Sequence, residues 1–135
     1  MAESILVVDD NLDNRDLTRI LLECEGYEVR LAEDAAQALG MFETYRPKLI
    51  LMDVQMPGMD GLELTRRLRQ KPALQDVIIV ALSAYAMAAE KVNALAAGCD
   101  GYITKPINTR TFVGTVGQYL ELPTRPRYME QAVAA

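Results

Sequence analysis

The sequence predicts an α/β fold in which one open parallel sheet carries helices on both faces. Five short apolar segments alternate with helical patterns, and the first, third and fourth segments are apolar at consecutive positions. Central parallel strands are covered on both faces, so they are apolar at every position instead of every second one. Strict alternation of strand and helix indicates crossover connections between parallel strands. We therefore expect five strand-helix units around one sheet.

The predicted elements follow from these apolar patterns in chain order. The strands are predicted at residues 5–8, 27–31, 49–52, 77–82 and 101–103. Spacings of i, i+3, i+4 and i+7, or close to it, give three helices an apolar stripe. The stripes are Leu17, Ile20, Leu21 and Cys24 in the first helix, Ala35, Ala38, Leu39 and Phe42 in the second, and Phe112, Val116, Tyr119 and Leu120 in the last. Asn108 is the predicted N-cap of the last helix, and Gly26 and Gly98 mark helix ends.

Length, charge and composition predict one domain that binds neither nucleic acid nor membrane. The chain has 135 residues, half of them apolar, and its net charge of -5 comes without a cluster of Lys and Arg. Its first apolar run has the length of a strand and follows no basic region, which excludes a signal peptide or a membrane span and predicts a cytoplasmic location. Residues 1–122 are the predicted domain and residues 123–135 a flexible tail.

Histidine and cysteine usage excludes several kinds of chemistry. The sequence contains no histidine, so it has neither a Ser-His-Asp or Cys-His nucleophile nor a zinc site with imidazole ligands, and it does not itself carry phosphohistidine. Cys24 and Cys99 are far apart in the sequence and match no metal-binding pair. We expect two small buried thiols without a chemical role.

Polar side chains follow the strands of the predicted sheet at the end where ligands bind. Asp9 and Asp10 follow the first strand, Asp53 the third, Ser83 the fourth and Lys105 the fifth. One Asp at a strand end is more often a helix N-cap than a functional group, but five polar groups at one edge favour function. Three neighbouring carboxylates repel one another unless a cation compensates, and Mg²⁺ suits such oxygen ligands best.

Four motifs around these positions resemble the receiver domains of two-component response regulators. They are ILVVDDN at 5–11, LMDVQMPGMDG at 51–61, ALSA at 81–84 and GCDGYITKP at 98–106. The resemblance covers residues 4–121 and is strongest to single-domain, cell-cycle-type regulators and to receivers of hybrid sensor kinases. It implies a flavodoxin-like (βα)5 fold with strand order 2-1-3-4-5.

The resemblance implies a role for each acid. Asp53 would be the nucleophile that accepts a phosphoryl group from a histidine kinase or a histidine phosphotransfer protein. Asp9, Asp10, Asp53 and the backbone carbonyl of Gln55 would hold Mg²⁺ or Mn²⁺, which offsets charge on the transferring group.

The resemblance also implies a conformational switch. Lys105 would place a cation on the phosphoryl group, Ser83 would donate its hydroxyl to it, and Tyr102 would rotate inward behind the moved loop. The Lys105–Pro106 peptide bond would be cis. Helix four, strand five and helix five would form the face that binds a downstream protein, and the alanine-rich segment 86–97 would pack weakly.

Several expectations limit this function. Neither Gln55 nor Tyr85 is acidic, and in this family these positions tune attack by water, so self-dephosphorylation should be slow. The protein would be a stand-alone output module or a relay, monomeric with dimerisation possible, and not an enzyme with turnover.

Two alternatives use other chemistry on similar folds. A Mg²⁺-dependent phosphatase with an Asp nucleophile needs a second Asp two residues after it behind the first strand, whereas this chain has Asp9-Asp10-Asn11-Leu12 there. A flavin-binding electron carrier needs a hydroxyl- and glycine-rich loop at the same place. Colour, turnover of phosphomonoesters and a stoichiometric mass increase would separate the three functions.

Overall fold

A computed structural model describes residues 3–84 and 87–121, and it has the predicted architecture. Five parallel strands form one sheet in the order β2-β1-β3-β4-β5. The strands are β1 (Ser4–Val8), β2 (Glu28–Ala32), β3 (Leu49–Asp53), β4 (Ile78–Ser83) and β5 (Gly101–Thr104). The helices are α1 (Leu12–Cys24), α2 (Ala35–Met41), α3 (Gly61–Arg69), α4 (Ala88–Ala97) and α5 (Phe112–Leu120), with a short 3-10 helix at Pro72–Leu74. The fold class and strand order predicted from the sequence are therefore confirmed.

The strand order reverses between β1 and β3, which creates a crevice at their carboxyl ends. From β1 the chain crosses to β2 on one side, and from β3 it continues to β4 and β5 on the other. The pairing of Val8 with Met52 brings the ends of β1 and β3 side by side. Asp53 pairs with Leu82. The carboxyl end of β4 therefore lies beside the carboxyl end of β3, at the same edge of the sheet.

Two apolar clusters cover the two faces of the sheet. Leu6 and Val8 point into a cluster with residues of α2, α3 and α4, whereas Ile5 and Val7 point into a cluster with residues of α1 and α5. All four of these β1 side chains are fully buried. Burial on both faces explains why the central strands are apolar at consecutive positions.

The apolar stripe predicted for α1 is wrong at three of its four positions, since only Leu21 packs, partly buried, against the core. Leu17 and Ile20 are 39% and 50% exposed, and the side chain of Cys24 is exposed as well. The buried positions of α1 are Arg15, Thr18 and Leu22, which lie on a different face of the helix. The expectation of two buried thiols is thus wrong for Cys24 and confirmed for Cys99. Both faces satisfy helical spacing, so periodicity alone did not distinguish them.

The start of α5 also differs from the prediction. The helix begins at Phe112, and Asn108 is not its N-cap. The side chain of Asn108 instead accepts a hydrogen bond from the Arg110 backbone N–H at 3.0 Å, which forms a turn before the helix. The predicted stripe holds in part, since Phe112 and Val116 are buried.

The predicted tail at residues 123–135 and the residue Tyr85 lie outside the described residues. Within the part of the chain that the structure describes, every helix is too short or too polar to cross a membrane.

Candidate functional site

Each side chain that the sequence placed at the carboxyl edge of the sheet lies there. Asp9 and Asp10 follow β1, and Asp53 and Ser83 are the last residues of β3 and β4. Lys105 follows β5. One oxygen each from Asp9, Asp10 and Asp53 lies within 4.8 Å of the others, with Asp10 exposed and the other two acids buried. The fold thus gathers into one pocket residues that are up to 96 positions apart in the sequence, from Asp9 to Lys105.

Backbone groups hold the two buried carboxylates in place. The Asn11 N–H donates to Asp9 Oδ1 at 2.9 Å, and the Gln55 N–H donates to Asp53 Oδ1 at 3.1 Å. In each case the donor lies two residues beyond the acid, in the loop that leaves the strand. These hydrogen bonds restrict the orientation of each carboxylate.

The N-terminus of α3 packs directly on the end of β3. A Cβ atom at Gly61 would overlap the backbone oxygen of Asp53. Glycine is therefore required for this close approach. The helix begins after Asp60, whose side chain accepts a hydrogen bond from the Glu63 N–H at 2.9 Å.

Lys105 bridges the two buried acids. Its Nζ lies 3.0 Å from Asp53 Oδ1 and 3.4 Å from Asp9 Oδ2, and its side chain is 18% exposed. The Lys105–Pro106 peptide bond is cis, as the resemblance implied.

Even with this lysine, the pocket has an excess of negative charge. Burial, followed by the charge of Asp9, raises the pKa of Asp53 from 3.8 to about 7, and Lys105 acts in the opposite direction. Two causes therefore outweigh the lysine: loss of hydration and repulsion between neighbouring carboxylates.

The donor atoms of this pocket fit a divalent cation. Asp9 Oδ2 is buried and accepts no hydrogen bond among the described residues, although Lys105 lies nearby. An oxygen in this state is costly to bury unless a cation compensates. Mg²⁺ prefers carboxylate oxygens at one side of an otherwise hydrated coordination shell, and the exposed Asp10 leaves room for water.

The side chain of Gln55 makes contacts that sequence reasoning missed. Its Nε2 donates to Ser83 Oγ at 2.9 Å, and its Oε1 accepts from the Ala84 N–H at 3.2 Å. The sequence predicted a use only for the Gln55 backbone carbonyl and for its influence on water. A polar side chain two residues after a strand-end Asp gives no signal of which loop it bridges.

Tyr102 and Ser83 occupy adjacent strands next to this pocket. Ser83 is fully buried, and Tyr102 is half-buried against the cluster beneath α2, α3 and α4. The pairing of Ser83 with Thr104 places the ends of β4 and β5 side by side. A change at Ser83 can therefore reach β5 through direct strand pairing.

A shallow cavity of about 300 Å³ opens beside Lys105. It is lined by Asn14, Leu17, Ala84, Lys105, Pro106 and Ile107. Leu12 and Ile20 of the same helix are also exposed, at 59% and 50%. The acidic pocket thus has an apolar surface at its border.

Comparison with known proteins gives a consistent result. The model of the response regulator receiver domain matches residues 5–116. The polar-differentiation response regulator DivK of Brucella anthropi is 38% identical over 120 residues, which is 89% of this chain and 98% of that protein.

Solved structures agree with the sequence relatives. The chemotaxis response regulator CheY4 of Vibrio cholerae superimposes with a TM-score of 0.84 at 30% identity, covering 87% of this chain and 98% of that one. The receiver domain of the sensor histidine kinase PA1611 from Pseudomonas aeruginosa has a TM-score of 0.80 at 32% identity, covering 89% and 98%. That structure has a magnesium ion coordinated in its active-site cleft. The comparisons give no support to the phosphatase alternative.

Proposed function

Because the chain belongs to the response regulator receiver domain family, we propose that it is a stand-alone phosphorylation switch with Asp53 as its acceptor. The donor would be a histidine kinase or a histidine phosphotransfer protein. The observation that carries the proposal is the convergence of Asp53 with Asp9, Asp10 and Lys105 in one pocket. Mere N-capping acids would not be gathered around a shared lysine.

The proposed chemistry is in-line transfer to a carboxylate. Asp53 attacks the phosphorus, the bond from phosphorus to the donor imidazole nitrogen breaks, and the imidazole leaves with the bonding electrons. Asp9, Asp10, Asp53 and the carbonyl of Gln55 would hold Mg²⁺ or Mn²⁺. When bound, the cation would offset the charge that builds on the phosphoryl oxygens.

Lys105 lies where it can pair with the product. It contacts Asp53 Oδ1 at 3.0 Å in the unmodified protein, and an aspartyl phosphate would place new anionic oxygens in its reach. The lysine would therefore stabilise the phosphorylated form as it now stabilises the ionised acid.

The switch would run from Ser83 to Tyr102. A phosphoryl group on Asp53 adds strong hydrogen-bond acceptors beside Ser83. The Ser83 hydroxyl would turn toward these acceptors and away from Gln55. Tyr102 would then rotate into the space behind the moved loop. The strand pairing of β4 with β5 is the physical connection between the two residues.

Exposed apolar residues on α4 support a partner face formed by α4, β5 and α5. Met87, which precedes the helix, is 66% exposed, and Val92 and Leu95 are 63% and 49% exposed. The buried residues of α4 are alanines, Ala94 and Ala97. A helix that buries so little apolar area is held weakly and can shift when its neighbours change.

The proposal includes a monomer that can dimerise when phosphorylated, a cytoplasmic location and slow self-dephosphorylation. Cys24 and Cys99 are both free, which is typical of a reducing compartment. The protein would be phosphorylated stoichiometrically, without turnover.

Intact-mass measurement after incubation with acetyl phosphate and Mg²⁺ tests this function. We expect one phosphoryl adduct on the original chain, none without a divalent cation and none on Asp53→Asn. Asp76→Asn, a change at an exposed acid, is the matched control and should be modified as the original chain is. An adduct that persists in Asp53→Asn would refute the assignment, and turnover of phosphomonoesters would favour a phosphatase.

A further inference from the structure

Arg15 is a buried charge for which the proposed transfer has no use. Within α1 it occupies an inward position, and its side chain is 8% exposed. Burying a guanidinium is costly unless its donors are satisfied and its charge is paired. The contacts that satisfy it therefore indicate why an arginine stands where a leucine would pack more favourably.

Those contacts reach the metal-binding acids through the backbone. Arg15 Nη1 donates to the carbonyl oxygen of Asp9 at 3.0 Å, and this hydrogen bond is buried. Asp9 lies one residue beyond β1, where the strand ladder no longer supplies a donor for every carbonyl. Its N–H is still held by the Ala32 carbonyl at 3.1 Å. Arg15 thus completes the backbone hydrogen bonding of Asp9.

The peptide unit held by Arg15 is the one that joins Asp9 to Asp10. Because this unit is planar, fixing its oxygen fixes the direction in which the chain enters Asp10. The Cα atoms of the two acids are the two ends of this planar unit, so its orientation is one of the factors that set the directions of both side chains.

Arg15 is itself held from the other side by the loop that follows β2. Its Nη2 lies 3.3 Å from Glu33 Oε1. Glu33 accepts from Gln37 Nε2 at 3.2 Å, and its N–H donates to Gln37 Oε1 at 2.8 Å. The guanidinium is therefore anchored between two loops at the carboxyl edge, in the planar, two-pronged geometry that a lysine lacks.

We propose that Arg15 is a positioning residue of the cation site, which orients Asp9 and Asp10 by holding the peptide between them. This inference rests on the proposed use of a divalent cation by the same pocket. Residues behind metal ligands typically change metal affinity by about 10- to 100-fold when they are removed.

A purely electrostatic role predicts the opposite sign. If Arg15 acted only as a nearby positive charge, its removal would make the acidic pocket more negative and strengthen Mg²⁺ binding. If it positions the acids, removal weakens Mg²⁺ binding in spite of the added negative charge.

Calorimetric titration of the full chain with Mg²⁺ alone distinguishes these roles. We expect Arg15→Met to weaken Mg²⁺ binding by about 10- to 100-fold and Arg15→Lys to fall in between. Thr18→Val is the matched control, because Thr18 is buried on the same face of α1 and its Oγ1 has no hydrogen-bond partner among the described residues. Its Mg²⁺ affinity should equal that of the original chain.

Acetyl phosphate kinetics add a readout that a loss of stability would not produce. The Mg²⁺ concentration for half-maximal phosphorylation should rise in Arg15→Met by the factor seen in calorimetry, while the rate at saturating Mg²⁺ recovers. A destabilised protein would keep the original half-maximal concentration and lose active molecules.

Unchanged or tighter Mg²⁺ binding in folded Arg15→Met overturns the inference. Should that variant fail to fold, the same result in Arg15→Lys overturns it. Failure of the original chain to bind Mg²⁺ or to form an adduct would instead refute the proposed function.

Discussion

Asp53 should make the cation-free protein less stable as the pH rises, and Asp53→Asn should remove this effect. The acid has a pKa of about 7 in the folded protein, against 3.8 for an Asp side chain exposed to water. A carboxyl with a raised pKa binds its proton more tightly in the folded state, so its contribution is favourable while it stays protonated. Stability is then lost as the pH rises from 4 through 7.

The expected size of this effect follows from the pKa. Because one pKa unit corresponds to 1.36 kcal/mol, the difference between 3.8 and about 7 amounts to about 4 kcal/mol at pH 8 and above. The pKa of about 7 already includes the favourable contact with Lys105. The free-energy difference is an upper limit, since Asn keeps the shape of the protonated acid but does not reproduce its hydrogen bonding. We expect Asp53→Asn to be more stable than the original chain by about 2–4 kcal/mol at pH 8 and by only about 1–2 kcal/mol at pH 5, where the folded acid is still protonated but the unfolded one is already ionised.

Urea unfolding in EDTA, followed by far-ultraviolet circular dichroism at pH 5, 6, 7 and 8, measures this difference. Asp76→Asn is the control at an exposed acid and should stay within about 0.5 kcal/mol of the original chain at each pH. Added Mg²⁺ should stabilise the original chain increasingly above pH 6 and leave Asp53→Asn almost unchanged. A stability difference that does not vary with pH would refute the reasoning, because charge on Asp53 would then not be its cause.

Three further changes test single contacts of the site. Gly61→Ala forces a Cβ against the Asp53 carbonyl, so we expect a loss of about 1–3 kcal/mol in urea unfolding together with slower phosphorylation in the mass assay. Gln55→Met keeps the chain length but removes the two hydrogen bonds through which Gln55 contacts the Ala84 N–H and the Ser83 oxygen, and which a phosphoryl group would otherwise have to displace. Calorimetry with Mg²⁺ and beryllofluoride should then show binding about tenfold tighter, as expected for two lost hydrogen bonds. Lys105→Met removes the cation 3.0 Å from Asp53 Oδ1, and the rate of adduct formation at saturating Mg²⁺ should fall by about 100-fold or more.

Matched controls exist for the first two of these changes. Gly40→Ala places its Cβ in open space within a helix and should stabilise the protein by about 0.5–1 kcal/mol. Gln70→Met alters an exposed glutamine at the far end of α3 and should leave beryllofluoride binding unchanged. Weaker beryllofluoride binding in Gln55→Met would mean that Gln55 assists the phosphorylated form instead of competing with it.

The order of the elements and the location of the pocket were determined by the sequence. Consecutive apolar residues identified the central strands, because burial on both faces leaves no polar alternation. Asp9, Asp53, Ser83 and Lys105 could be placed at one edge, because all parallel strands present their carboxyl ends there. These inferences need only local pattern and chain direction, and the structure confirms both.

Which side of a helix is buried, and which side chains meet across loops, was decided by the tertiary structure. In α1 the apolar stripe through Leu17 and the buried stripe through Arg15 both have helical spacing, so only contact with the sheet separates them. Gln55 meets Ser83 across 28 positions of sequence, and Arg15 reaches Asp9 because helix and strand end pack together. Such contacts depend on how whole helices, strands and loops are placed relative to one another. The residue pattern within one helix or strand does not reveal that placement. The sequence therefore located the acids of the pocket, and the packing of α1 against the sheet brought Arg15 to the peptide that joins Asp9 to Asp10.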